Sequence, residues 1–441
     1  MNIEEYKQVV SDQIRSKKAR PHVIKELEDH INDQAAVYEA EGKSREEALS
    51  EAVIEMGDPT EVGVELDRIH RPQMSWETIA LVGLISIASF VIQLFLQSEN
   101  TVGSFGLSQL ISIIIGYIFM IIIYRIDYSF VGKYSRPLAA FFLFSIVIGV
   151  LCFCSEINGA KNYIMIGRYM ISITPIILLY IPLFGAILYS YKGKGYDILW
   201  QLFLWAGIPV LITFKIPSLL TAVILLFSMA FLFTIAVAKG WYRMNRKGTL
   251  ITMWSILILL PTIRIGYALL KGSPTYQMNR LVGWLTRDEQ INYTSNLLHE
   301  IIAGSNFAGK SEYVQQISSP VFLELNTDFV LVGVMLMYGI IAAAVIIALL
   351  VGLIVKIFHI SFKQKNQLGM IIGAGCGMVF LMQTVTNIMV VFNLMPMTGV
   401  PLPLFSYART GIIVSYILLG IVLSIYRNKD ILYEKRVAIR Q

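Results

Sequence analysis

Two stretches hold the residues that could do chemistry. NTDFVLVG, residues 326–333, places one acid, Asp328, directly before a long apolar run. NLMPMTGVPLPLFSYARTG, residues 393–411, sets Pro396, Pro401 and Pro403 close together in an apolar run. Thr398, Ser406 and Tyr407 sit among them, and Arg409 closes the run. A lone Asp at a helix start is most often an N-cap. An acid at a membrane boundary that faces a cavity is instead a functional candidate. Prolines remove backbone donors and break the helical ladder, which hydrocarbon punishes. Irregular backbone at that depth is tolerated where it packs inside protein or lines a cavity, and prolines hold it there at low entropy cost. The residues alone leave two readings of the second stretch open, a kinked loop on the outer surface and a rigid re-entrant segment.

Such residues need a membrane scaffold, and the composition supplies one. Of 441 residues 56% are hydrophobic and only 15% charged, with a mean hydropathy of +0.64. A soluble chain would carry about 25% charged residues. The expected fold is all-α and polytopic, with ten spans at 78–97, 105–124, 137–154, 170–189, 197–214, 217–238, 249–270, 328–355, 368–392 and 410–426, each of a length that fits a bilayer. The connections at 125–136, 190–196, 239–248 and 356–367 carry 3, 2, 4 and 3 Lys or Arg, and the tail after 426 carries 5. The opposite short connections carry 0, 2, 1 and 1. That bias puts both termini in the cytoplasm and the long loop 271–327 outside. The net charge of +6 thus reflects topology and not a nucleic-acid surface.

Residues 1–72 read as a cytoplasmic helical domain ahead of the membrane part at 76–430, and 427–441 as a cytoplasmic tail. Ser44 with Glu47 forms a capping box, Gly42 and Gly57 stop helices, and Asp58 with Pro59 starts the last one. The "EEA...A...MGDP.E" ending resembles the short helical prefix found before many Firmicutes permeases and sensors. That resemblance implies a regulatory or docking module. His22, His30 and His70 are too scattered for a metal site. Cys152 and Cys154 lie two apart inside an expected helix and Cys376 in another, so they read as apolar filler. No Walker loop, zinc spacing or nucleophile elbow is present.

QTVTNIMVVFNLMPMTGVPLPLFSY resembles the signature of the FtsW/RodA/SpoVE family, the SEDS proteins of cell elongation, division and sporulation. The matching positions are Gln383, Asn387, Pro396, Thr398, Gly399, Pro401, Leu402, Pro403, Ser406 and Tyr407. NTDF is similar to the family's HTDF, NGAKNYIMIG at 158–167 to its NGARRWI..G, and YQMNR at 276–280 and GSNFAGKS at 304–311 to parts of its outer loop. The resemblance implies a peptidoglycan glycosyltransferase that polymerises lipid II at the outer face of the membrane. Asp328 would be the catalytic base. Arg280, Lys310 and Arg409, or a divalent ion with no site readable here, would take the charge of the departing undecaprenyl diphosphate. Gln383, Asn387, Thr398, Ser406 and Tyr407 would complete the substrate site, and a class B penicillin-binding transpeptidase would be the partner. The chain departs from the pattern at Asn326 for His, at Val334 and Met335 for two acids, at SITPIIL (172–178) for QPSE..K, and at Ala408 and Arg409 for two glycines. These departures keep open a catalytically impaired scaffold or sensor. A lipid-linked precursor transporter is the third reading, opposed by the few polar residues within the spans.

Overall fold

The computed structural model describes residues 1–441 except 18, 71, 97–104, 158–159, 168, 217, 272–275, 288, 313–324 and 430–441. Most of the expected tail, parts of loop 271–327 and the first two residues of NGAKNYIMIG lie outside the described residues. The chain divides into two compact units, one holding Met1–Ser75 and the other Trp76–Ile425.

The first unit is four helices: α1 (Ile3–Gln13), α2 (Arg20–Ala40), α3 (Arg45–Glu55) and α4 (Pro59–His70). Their apolar stripes bury one small core that includes Tyr6, Val10, Val23, Leu27, Ile31 and Ala52. The helix ends follow the local sequence. The Glu47 amide donates to Ser44 Oγ at 3.4 Å, and the Ser44 amide donates back to Glu47 Oε2 at 3.2 Å. The Ser44 hydroxyl, and then its amide, hold the Glu47 carboxyl below the ordinary carboxylate range. Gly42 and Gly57 take φ of +97° and +81°, as helix-ending glycines do. The Thr60 amide donates to Asp58 Oδ1 at 2.7 Å, which caps α4.

In the second unit, ten helices among the described residues are long and apolar enough to cross a membrane. They are Trp76–Phe95, Gly106–Arg125, Ser135–Phe153, Ile173–Ser190, Tyr196–Lys215, Leu219–Ala238, Arg246–Tyr267, Ile340–Phe362, Gln367–Val391 and Arg409–Arg427, here spans one to ten. Span nine is the central helix, with 83% of its most apolar stretch buried. It approaches span four closely because a glycine on each helix lies against the backbone of the other. A Cβ on Gly185 would lie 3.1 Å from the Ile371 carbonyl oxygen, and one on Gly375 would lie 3.0 Å from Pro182 Cα. Missing side chains of this kind let membrane helices pack backbone to backbone. Two helices of the long loop, α5 (Tyr276–Thr286) and α6 (Glu289–Ala303), follow span seven.

Span eight differs from the sequence expectation. The apolar run from 328 is not one helix. A separate short helix, α7 (Val330–Tyr338), ends at Gly339, which turns with φ +91°, and span eight starts only at Ile340. The break leaves carbonyls unpaired at the end of α7 and amides unpaired at the start of span eight. Residues 306–311 supply the partners. Gly309 and Ser311 amides donate to the Tyr338 and Leu336 carbonyls at 3.0 and 2.9 Å, while Ile340 and Ile341 amides donate to Asn306 and Phe307 carbonyls at 3.0 and 3.1 Å. The GSNFAGKS stretch is therefore the cap of a broken helix.

Gly339 is required twice over, by its φ and because a Cβ there would lie 2.6 Å from Ala308 Cα and from the Phe307 oxygen. A ψ of +171° puts Gly339 in a positive-φ region open essentially to glycine, where another residue costs about 1–3 kcal/mol. Gly339→Ala is expected to lower the melting temperature of the purified protein by about 4 °C or more. An unchanged melt would show that the break tolerates a side chain.

The connection between spans three and four also departs from a purely helical picture. A π-helical turn at Gly149–Phe153 leads into three antiparallel strands: β1 (Cys154–Ile157), β2 (Ala160–Ile166) and β3 (Tyr169–Ser172), in that order, with a bulge at Ser155/Glu156. Cys152 and Cys154 therefore do not share a helix, because the helical ladder ends between them. Cys152, Cys154 and Cys376 are all free thiols. The sheet is small, and the other regular elements among the described residues are helices.

Candidate active site

The proline-rich segment after span nine lies folded against protein, and hydrogen bonds from neighbouring elements hold several of its backbone groups. Asn393 and Leu404 adopt φ of +54° and +65°. For a bulky residue such as Leu404 this is an uncommon, strained conformation that the surroundings must impose. They do so from span one. Ser89 Oγ donates to the Leu404 carbonyl at 2.6 Å, and Gln93 Nε2 donates to the Phe405 and Asn326 carbonyls at 2.9 and 3.0 Å. Gln109 of span two donates to Ser89 Oγ at 2.9 Å and orients it. Within the segment, Ser406 Oγ accepts from the Leu402 amide at 2.7 Å. The segment is then fastened to its neighbours. The Tyr407 amide donates to the Asn326 carbonyl at 2.8 Å, and the Arg280 guanidinium of α5 donates to the Met397 carbonyl. Trp284 Nε1, also on α5, donates to Asn393 Oδ1 at 3.2 Å. The Ser172 amide donates to Thr410 Oγ1 at 3.1 Å, which joins the end of β3 to the start of span ten.

Asp328 lies where these pieces meet. Residues 326–329 form a turn ahead of α7, and the N-cap position of α7 belongs to Phe329, with no side-chain cap. Asp328 therefore precedes the N-cap position instead of holding it. Asn387, on span nine, joins the turn to the proline-rich segment. Its Nδ2 donates to the Asp328 carbonyl at 2.8 Å and to the Val400 carbonyl at 2.7 Å. The Asp328 carboxylate packs on Gly399, where a Cβ would lie 2.5 Å from Oδ2. Asp328 is half-buried and Gly399 exposed, so the acid sits at an accessible surface. Among the described residues, Asn387 Oδ1 and Thr398 Oγ1 are buried without a hydrogen-bond partner. Buried polar atoms are rarely left so, and such atoms mark places for a ligand or a water.

The other residues singled out from the sequence take distinct places. Gln383 and Ser406 line a small cleft with Pro401, Pro403, Gly411 and Ser415, with room for about one water. Ser406 is 1% exposed, and its hydroxyl is committed to the turn. The Arg409 guanidinium donates to Tyr407 Oη at 2.9 Å and lies 5.8 Å from the centre of the same ring, so the two side chains form one pair. Lys310 is exposed in the 306–311 cap, and its side chain makes no hydrogen bond or ion pair with Asp328 or the other site residues. Among the described residues no three His, Cys, Asp or Glu side chains gather as a metal cluster. The oxygen donors at hand, a carboxylate, an amide and a hydroxyl, suit a hard cation shared with phosphates.

Ser89 and Gln93 are functional supports that motif reading missed. A signal for them exists: Ser86, Ser89 and Gln93 fall on one face of span one at helical spacing, and buried amides within a span rarely lack a purpose.

A ten-span membrane protein with an acid-bearing turn clamped to a re-entrant, proline-rich segment is the class that this fold and site define. The model of the FtsW/RodA/SpoVE family, described as a cell cycle protein, matches residues 71–431, and the chain belongs to this family. A peptidoglycan glycosyltransferase, MrdB of Helicobacter pylori, is 25% identical over 361 residues, which cover 78% of this chain and 89% of that protein. A probable peptidoglycan glycosyltransferase, FtsW of Enterococcus hirae, is 40% identical over 102 residues, 23% of this chain and 26% of that protein. Among solved structures, a chain of a peptidoglycan synthase complex that coordinates polymerization and crosslinking is similar in fold. Its TM-score is 0.65 at 20% identity, over 81% of this chain and 98% of that one. The rod shape determining protein RodA of Thermus thermophilus gives a TM-score of 0.57 at 18% identity, over 81% and 97%.

Proposed function

We propose that the chain is a peptidoglycan glycosyltransferase that polymerises lipid II at the outer face of the cytoplasmic membrane. The observation that carries this reading is the Asp328 carboxylate packed on Gly399, in a turn that the Asn387 clamp ties to the proline-rich segment. The acceptor sugar's 4-hydroxyl attacks C1 of the growing chain's terminal MurNAc. The C1–O bond to undecaprenyl diphosphate breaks, and the anomeric carbon inverts. A sugar hydroxyl is a poor nucleophile, so Asp328 takes its proton as the new bond forms. Arg280, built into the same segment through Met397, supplies positive charge for the departing diphosphate. Thr398 Oγ1 and Asn387 Oδ1 offer unpaired polar atoms to the sugars. A class B penicillin-binding transpeptidase is the fitting partner, given the synthase complex that shares this fold.

One observation favours a second reading, an impaired scaffold. Val334 and Met335 stand buried where the family often has acids, and Asn326, which replaces its His, is 2% exposed. Polymerisation of labelled lipid II by the purified protein, alone and with candidate transpeptidases, decides between the two. Glycan product supports the enzyme, and silence with every partner supports the scaffold.

The Lys/Arg bias places residues 1–75 inside and loop 271–327 outside. A cysteine at Ser305 is expected to react with an impermeant thiol reagent on intact cells, and one at Ser44 only after lysis. Labelling of Ser44→Cys without lysis reverses the orientation. The prefix is a regulatory or docking module with its own core. Deleting residues 1–70 is expected to leave the membrane unit folded and polymerisation within about twofold, with altered partner choice or regulation. Loss of a monodisperse membrane protein on deletion would make the prefix part of the core.

A further inference from the structure

The other end of the bundle carries a second built feature. The connections after spans two, four and six all emerge there. The latter two are fastened together. The Gly193 amide donates to the Trp241 carbonyl at 2.7 Å, and the Arg243 amide donates to the Lys194 carbonyl at 2.8 Å. The Asn245 amide donates to Tyr196 Oη at 2.9 Å. Gly193 and Gly240 make the turns with φ of +87° and +72°. From the start of span three, the Arg136 guanidinium stacks 4.1 Å from the centre of the Tyr191 ring, and its Nε donates to Ser190 Oγ at 3.3 Å. The Lys194 ammonium lies 5.3 Å from the same ring. Lys194, Arg243 and Arg246 are exposed and form no ion pair with a described residue. The acid beside them, Asp197, accepts from the Gly195 amide at 3.1 Å.

The Arg136 and Lys194 cations, 4.1 and 5.3 Å from the centre of one ring, repel one another, and a bound anion relieves that repulsion. Directly after the frame, the first turns of span five expose Trp200 and Phe203, at 64% and 76%. Aromatic side chains at this level favour the interface between headgroups and acyl chains.

We propose that this frame is a headgroup site for one anionic phospholipid of the inner leaflet. Its phosphate is recognised by Arg136, Lys194 and Arg243, and its acyl chains lie along Trp200 and Phe203. The proposal rests on the inward orientation of this end, given under the proposed function. A positive-inside bias requires only a count of charges. The hydrogen-bonded frame and the adjoining aromatic face go beyond a count, and basic pockets between spans on the cytoplasmic side are known to take such headgroups.

Native mass spectrometry of the full-length protein in detergent tests this, with phosphatidylglycerol, phosphatidylcholine and undecaprenyl diphosphate as probes. Lys194→Gln with Arg243→Gln is expected to cut phosphatidylglycerol retention about tenfold. Lys363→Gln with Lys365→Gln removes the same charge from the connection between spans eight and nine. It is expected to change retention less than about twofold. Trp200→Ala with Phe203→Ala is expected to weaken retention with the charges intact. All altered positions are exposed, and should the first pair melt early, its single substitutions read the same difference. Equal losses in the two charge pairs would reduce the site to a diffuse surface potential and overturn the proposal. Equal retention of phosphatidylcholine would overturn it too, as would displacement of phosphatidylglycerol by undecaprenyl diphosphate at equal concentration. The reaction at the other face is not read in this experiment, so failure here leaves the proposed function standing.

Discussion

Asp328→Asn is expected to abolish polymerisation while the protein still melts like the wild type. The amide nearly matches the carboxylate in shape, so packing on Gly399 survives, but it cannot take the hydroxyl proton. Loss of a general base typically costs about 10²–10⁴ in rate. A capping Asp would have behaved differently, because Asn caps as well as Asp does, and an Ala in its place would cost about 0.5–2 kcal/mol. Phe329, one residue later, holds the N-cap position of α7, so Asp328→Ala should not exceed that capping cost. The rate of glycan formation and the melting temperature are the two measurements. Robust polymerisation by a well-folded Asp328→Asn protein would remove the acid from the mechanism. Asn326→His, which restores the family's residue, should raise the rate if the imidazole fits a position that is 2% exposed.

Gly399→Ala is the second large effect, and it acts through position alone. The added Cβ would lie 2.5 Å from Asp328 Oδ2 but meets no backbone within 4 Å among its nearest neighbours. The carboxylate, at the end of a rotatable side chain, must move while the backbone stays. A misplacement of about 1 Å can cost about 10²-fold in rate. Polymerisation is therefore expected to fall about a hundredfold, with an unchanged melt and with Asp328 still present. Full activity in Gly399→Ala would mean that the carboxylate works from some other position than the one against this glycine.

Much of the architecture was readable because membrane helices and helix caps are local problems. Outside span eight, each span begins within three residues of its expected start. Ser44 with Glu47, and Asp58 with Pro59, mark the same helix ends in the structure that they mark in the sequence. The break at Gly339 was hidden because both sides of it are apolar and hydropathy does not register a change of chain direction. Only the pairing of residues 306–311 with both new helix ends makes the break affordable, and that pairing is a tertiary fact. The small sheet was hidden for a related reason. Its outer strands are four residues each and adjoin the ends of two spans, where helix and strand patterns cannot be told apart. At the site, the motif pointed to Asp328, Thr398 and Asn387, which the fold does bring to one place. It also pointed to Ser406, which serves the turn, and to Lys310, which serves a loop elsewhere. Residue type alone does not separate a hydroxyl that meets a ligand from one that closes a turn.

Asn387 has a kinetic consequence. One side-chain amide bridges a carbonyl on each of two stretches that lie 72 positions apart along the chain, at Asp328 and Val400. Neither stretch can open to solvent without stripping that amide of a partner inside a largely buried environment. The two therefore belong to one cooperative opening unit, and their backbone amides should exchange hydrogen for deuterium at a shared rate. Asn387→Leu would uncouple them, leaving two rates where the intact protein has one.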